Sequence, residues 1–218
     1  MGHDEQDLLA RVRVEIQAEG GENRLVPLAA SGAAAPRALA VLAAEQHHVI
    51  SSDWRAFLAL AAQATEPAER EFFTALAGGE GLAMAKLADF AAACGLSTDE
   101  VAAHRPLPGC QAYPSYVAWL VLNGDPHTAL LAILANFAEW GGYCAAIAAG
   151  LREHYGFDDA GCAFFDFFAE PAPDLDELGL RALREVLASG WSPERAFGPA
   201  RLLHGFELMF WNTLAELA

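Results

Sequence analysis

The chain has 218 residues, with 13 basic against 29 acidic side chains, a formal net charge of −16 and 54% hydrophobic residues. That apolar content fills a core and excludes a disordered chain. The acidic balance excludes a sequence-independent nucleic-acid surface and argues against docking on anionic lipid.

Helical periodicity runs through the whole chain, written largely in alanine, the best helix former. Asp4 to Gln17 reads as a first helix, closed by the break Glu19-Gly20-Gly21-Glu22-Asn23. Leu25 to Ala30 is a short helix. Pro36 opens a long helix through Ala64, with a bend expected near Ser51-Ser52. Pro67 starts another, expected to stop at Gly78-Gly79, and Leu82 to Ala93 forms the next. Ser97 with Glu100 three residues on is a capping box. Arg105 to Cys110 reads as a connector, and a helix follows Pro114 to about Leu122. After the turn Asn123-Gly124-Asp125-Pro126, Thr128 to Arg152 is a long, nearly apolar helix. Cys162 to Ala169, Pro171 to Ser189 and Pro193 to Leu217 complete the set. The expected architecture is an all-α, single-domain bundle of about seven to nine helices over 1–218, with 1–20 as an N-terminal helix extension.

No run of about 18 apolar residues occurs, so no membrane-spanning helix is expected. Met1 to Leu9 lacks the basic-then-apolar order of a secretory signal. Cys94, Cys110, Cys144 and Cys162 are dispersed and form no CxxC, which points to reduced thiols and a cytoplasmic location. They read as small core residues, with Cys144 the one of chemical interest.

In such a bundle a site shows as polar groups on apolar helix stripes. Glu45 and His48, three residues apart after a wholly apolar run, can face one way; the competing reading is an exposed polar turn before Ser51-Ser52-Asp53. Glu139 lies inside Leu130 to Trp140 and must be solvated, paired or functional. Asn136 and Tyr143 can share its face. Glu207 sits among Leu203, Phe206, Phe210 and Trp211, where aromatic surroundings raise a carboxyl pKa toward the range useful for acid/base work; otherwise it is a surface Glu on an amphipathic terminal helix. Tyr113, just before Pro114, is positioned by the backbone either to serve a site or to pack. His3, His104, His127 and His154 lie near termini or turns and are expected to be solvated.

The order of these features resembles the thiaminase II (TenA-like) family, over roughly residues 25–218. Glu207-Leu208-Met209-Phe210-Trp211 looks like that family's E-x-x-F-W, whose Glu is the catalytic acid/base. Ala112-Tyr113-Pro114-Ser115-Tyr116 looks like its Y-T-S-Y, whose first Tyr lines a pyrimidine pocket. Ala44-Glu45-Gln46-His47-His48 aligns with its Q-D-x-Y-Y turn, which places Glu45 at the ring-gripping Asp. The family's nucleophilic Cys falls at Trp140, one residue after Glu139, and Phe168 replaces a pocket Tyr. A branch with Glu in place of this Cys, associated with hydrolysis of aminopyrimidine breakdown products, resembles the chain better.

The resemblance implies a heme-oxygenase-like all-α fold and a hydrolase without a Cys nucleophile or cofactor. Glu207 and Glu139 would be catalytic. Glu45, His48, Tyr113, Tyr143, Phe168 and Phe210 would hold a small aromatic or aminopyrimidine substrate. Relatives are commonly dimers or tetramers, so a homo-oligomer is expected. Two alternatives remain open at this point. One is an iron-dependent oxidase using Glu45, His48, Glu139, His204 and Glu207. The other is a non-catalytic small-ligand binder on the same fold.

Overall fold

A computed structural model describes residues 5–18 and 20–218, the side chain of Ala138 excepted. The expectations placed on His3, Asp4 and Glu19 lie outside them. Ten helices follow in order: α1 Glu5–Ala18, α2 Leu25–Ala30, α3 Pro36–Gln63, α4 Pro67–Ala93, α5 Thr98–Ala103, α6 Pro108–Asn123, α7 Pro126–His154, α8 Asp159–Ala169, α9 Pro173–Ala188 and α10 Glu194–Ala215. Among the described residues there is no strand.

The helix starts follow local chemistry. Proline occupies the first turn of α3, α4, α6, α7 and α9, where its fixed φ fits the helix and its missing N–H has no intrahelical role. Asp125 and Asp158 cap α7 and α8 by accepting from Thr128 N–H and Gly161 N–H, both at 2.9 Å. The expected capping box at Ser97 and Glu100 is formed.

Two boundaries differ from expectation. α4 runs unbroken through Gly78-Gly79, because its packing along α3 and α8 outweighs the weak helix propensity of glycine. Gly81 lies there under the Trp54 indole, which a Cβ would meet at 3.4 Å. α6 starts at Pro108 and contains Pro114, so Tyr113 stands inside a helix and not at a junction. The missing Pro114 N–H costs only one bond, to the Cys110 carbonyl one turn back.

Two apolar clusters make the core. One joins α1 and α9 to the neighbouring halves of α3, α4, α7 and α10, around Phe72, Phe73, Leu60 and Leu130. The other joins α2 and α8 to the opposite halves, around Phe90, Phe164, Phe165 and Trp211. α7 is apolar enough by length and composition to cross a membrane. Here its apolar side is taken up by α2, α8 and α10, with Leu130, Leu131, Ile147 and Leu151 fully buried. Polar contacts outside the clusters also hold α1. Arg13 Nε and Nη2 donate to the Ala135 and Leu134 carbonyls of α7 at 3.2 Å, and Glu5 pairs with Arg184 of α9.

α2 crosses α7 at Gly150, where an added Cβ would fall on the Ala29 carbonyl oxygen and 2.6 Å from Ala30 Cα. Both are backbone atoms, which cannot rotate away. Gly150→Ala should therefore destabilise the fold by about 1–3 kcal/mol. Gly78→Ala, whose added Cβ would meet nothing within 4 Å, should stabilise it by about 0.5–1 kcal/mol. Urea denaturation of the two variants beside the parent checks both signs.

Candidate functional site

A cavity of about 830 Å³ lies where the two apolar clusters meet, within the size range of small-molecule sites. α3 turns Gln46, Val49, Ile50, Asp53 and Phe57 into it. Their positions, three, four, seven and eleven residues on from Gln46, share one face of a helix. α4 adds Leu76, Gly79 and Glu80, α6 adds Tyr113, and α10 adds Leu203, Glu207, Phe210 and Trp211. Trp140 of α7 and Phe168 of α8 form an aromatic corner, their rings 5.3 Å apart and 76° to each other. Trp140 also lies 5.6 Å from the Trp211 ring.

Glu207 is buried, and Trp211 Nε1 donates to its Oε1 at 3.3 Å. Burial pushes its pKa up to about 7; the Trp211 bond opposes that rise and the nearby Glu139 charge adds to it. Asp53 is also pushed up to about 7 by burial, opposed by its hydrogen bond with the Tyr113 hydroxyl. Glu80 is raised well above the carboxylate range, first by burial and then by the Asp53 charge. Tyr113 is held protonated by burial and by the Asp53, Glu207 and Glu80 charges around it. The cavity is thus an apolar, aromatic chamber holding three carboxyl groups that gain protons unusually easily.

Of the expected site residues, Glu207, Tyr113, Phe168 and Phe210 line this cavity together. Glu45 and His48 do not. Glu45 stands about 100° round the helix from Gln46 and faces the α5–α6 connector. Its Oε1 accepts from Leu107 N–H at 2.7 Å and meets His104 Nε2 at 2.8 Å. His48 sits beside that pair, its ring 6.0 Å from the His104 ring. His104 is therefore a half-buried, partnered side chain, contrary to its expected solvation. So is His127, whose Nδ1 meets Glu69 at 2.8 Å.

Glu139 and Tyr143 also lie outside the cavity lining. Trp140 takes the inward position, and Glu139, one residue earlier, turns to the flank of α7. There its Oε2 accepts from the Tyr143 hydroxyl at 3.3 Å and lies 3.5 Å from His204 Nδ1. The Tyr143 ring packs edge-on behind Trp211 at 5.8 Å. Of these groups, Glu139 acts on Glu207 through its charge.

The five residues that could have made an iron site are consequently split between the connector, the flank of α7 and the cavity. Among the described residues no group of three or more His, Cys, Asp or Glu is placed to hold a metal ion, so the residues present do not fit that centre. Nor does Cys144 replace the missing nucleophile. It is fully buried, outside the cavity lining, and burial raises its thiol pKa far above the usual value, which leaves no thiolate at neutral pH.

Gln46, Asp53, Glu80, Trp140 and Trp211 line the cavity and carried no site expectation. The seven-residue interval from Gln46 to Asp53, two helical turns, was the available signal for α3. Glu80 was hidden because Gly78-Gly79-Glu80-Gly81 reads as a helix end.

The fold is similar to that of a TenA family transcription regulator from Silicibacter sp. TM1040, with a TM-score of 0.75 at 16% identity over 98% of this chain and 97% of that one. It is similar to a TenA homologue from P. horikoshii OT3, with a TM-score of 0.71 at 17% identity over 99% of this chain and 100% of that one. A domain of unknown function with a heme oxygenase-like fold from Shewanella denitrificans OS217 aligns with a TM-score of 0.70 at 14% identity, over 97% of this chain and 88% of that one. At these identities the likeness is one of fold. No curated protein matches the sequence. The sequence pattern of the TENA/THI-4/PQQC family matches residues 42–189, from within α3 to the end of α9. The chain belongs to the TENA/THI-4/PQQC family.

Proposed function

We propose that the chain is a small-molecule hydrolase that cleaves a C–N bond of an aminopyrimidine or similar planar amine, with Glu207 as its general acid and base. The carrying observation is Glu207 itself, a buried carboxyl raised to about 7 in a cavity walled by aromatic rings. Such a group is divided between its two forms at neutral pH, the condition under which it both takes and returns a proton. In its ionised form it removes a proton from water as the water oxygen bonds to the carbon. It then delivers that proton to the departing amine as the C–N bond breaks. The amine leaves with the bonding electron pair, and the carbon keeps the hydroxyl.

The remaining residues position the ring. Trp140, Phe168, Phe210 and Trp211 offer flat and edge surfaces for a planar heterocycle, and Tyr113, locked in α6, presents a hydroxyl that stays protonated. Glu139 holds Glu207 toward its protonated form by charge alone. No thiol enters the reaction.

Incubation with aminomethyl- and formylaminomethyl-pyrimidines should release an amine product, with one limb of the kcat/KM profile near pH 7. Glu207→Gln should reduce turnover by roughly 10²–10⁴-fold. Absence of turnover in the parent protein, or undiminished turnover in the variant, overturns the reading.

The same variant makes an opposite prediction for stability. A carboxyl with a raised folded-state pKa stabilises the fold below its unfolded pKa of 4.5 and loses that contribution as pH rises through about 7. Gln carries no such loss. Glu207→Gln should therefore gain about 1–3 kcal/mol relative to the parent between about pH 5 and pH 8, read by denaturant melts at each pH. Loss of activity together with this gain separates a chemical role from misfolding.

A further inference from the structure

Opposite the chemistry assigned to Glu207, the α3–α4 wall of the cavity carries polar atoms that the proposed reaction does not use. Gln46 Oε1, Asp53 Oδ1 and Glu80 Oε2 are buried without a hydrogen-bond partner among the described residues. Gln46 is 1% exposed and Asp53 4%, and all three side chains line the cavity. They sit on consecutive antiparallel helices with a three-residue connection, Gln46 two turns before Asp53 on α3 and Glu80 on α4.

All three orphan atoms are acceptors. The Tyr113 hydroxyl lies close enough to Asp53 to oppose the rise in its pKa. The basic side chain that also lines the cavity, Arg13, is committed to the Leu134 and Ala135 carbonyls. The wall therefore offers three acceptor oxygens and two titratable carboxyls, with no basic side chain turned to meet them. A neutral aminopyrimidine offers such a wall its exocyclic N–H donors but no positive charge. A group that only donates and carries positive charge complements it.

We propose that Gln46, Asp53 and Glu80 form a subsite for a protonated amine, so that the cavity takes ligands bearing a cationic, multi-donor nitrogen in addition to the planar ring beside Glu207. The ammonium directs its three N–H bonds to the three orphan oxygens. Its charge opposes the burial, and after it the Asp53 charge, that raise Glu80 toward its protonated form. Gly79, with a ring edge of Phe167 3.9 Å from where its Cβ would stand, keeps the approach to Glu80 open. The inference shares the cavity with the proposed hydrolase activity but does not depend on the reaction, because it concerns binding alone.

The test uses benzylamine and benzyl alcohol, which share size and ring and differ in charge and donor number. Isothermal titration at about pH 8 should show benzylamine binding at least roughly tenfold more tightly than benzyl alcohol. Asp53→Asn and Glu80→Gln should each remove most of that preference and leave benzyl alcohol affinity within about twofold, which also shows that the variant cavity is intact. Glu207→Gln should keep the preference. Equal affinity for the two probes in the parent protein, no binding of benzylamine, or a parallel loss of both probes in Asp53→Asn overturns the subsite. Loss of the preference in Glu207→Gln overturns it as well, by moving the cation to the other wall. If turnover of aminopyrimidines fails while these binding results hold, the reaction is wrong and the subsite stands.

Discussion

Carboxyl groups withdrawn from water set the terms for the rest of this bundle. Asp53, Glu80 and Glu207 come from three helices and reach one apolar chamber, where hydration is poor and the rings supply little compensating dipole beyond the Trp211 N–H to Glu207. Each carboxyl answers by binding its proton more tightly. That arrangement is tolerable only in a scaffold with stability to spare elsewhere. The two apolar clusters, with residues such as Phe72, Phe73, Phe90 and Phe164 fully buried on either side, provide it. The strained chemistry lies at the seam between two well-packed halves.

The remaining buried charges have a different character. Glu45 is satisfied by His104 and by the Leu107 amide, and Glu69 meets His127. These pairs tie connectors and helix starts to the bundle and lie away from the cavity. Partnered carboxylates of this kind specify geometry. The orphaned ones on the α3–α4 wall are the groups left open for something other than the protein.

The helical architecture was legible in the sequence because alanine-rich periodicity, first-turn prolines and the Ser97 box are local signals. Glu207 was legible too, since a carboxyl surrounded by Leu203, Phe206, Phe210 and Trp211 has few structural uses. The α3 contribution was not. Glu45 and Gln46 differ by one residue, or about 100° of rotation, and which of them faces inward depends on how α3 seats on α4 and α6. Only the tertiary arrangement decides that. The same phase ambiguity put Glu139 where Trp140 stands. Glu80 was concealed by a real conflict between levels, since the glycines around it weaken the helix locally while helix packing restores it.

The anchoring of α1 has a consequence for how the protein is made. α1 is the first of the described helices, yet its seat is built from α7, α9 and α10, and Arg13 finds its carbonyl partners more than a hundred residues downstream. Glu207 is carried by the last helix. During synthesis the chamber therefore stays unwalled, and the Glu207 carboxyl absent, until α10 has emerged. Closure by α1 and α10 is a long-range, late step, slow by the entropy of the loops it must close. A nascent chain short of α10 has no closed chamber, and α1 and α10 complete it together.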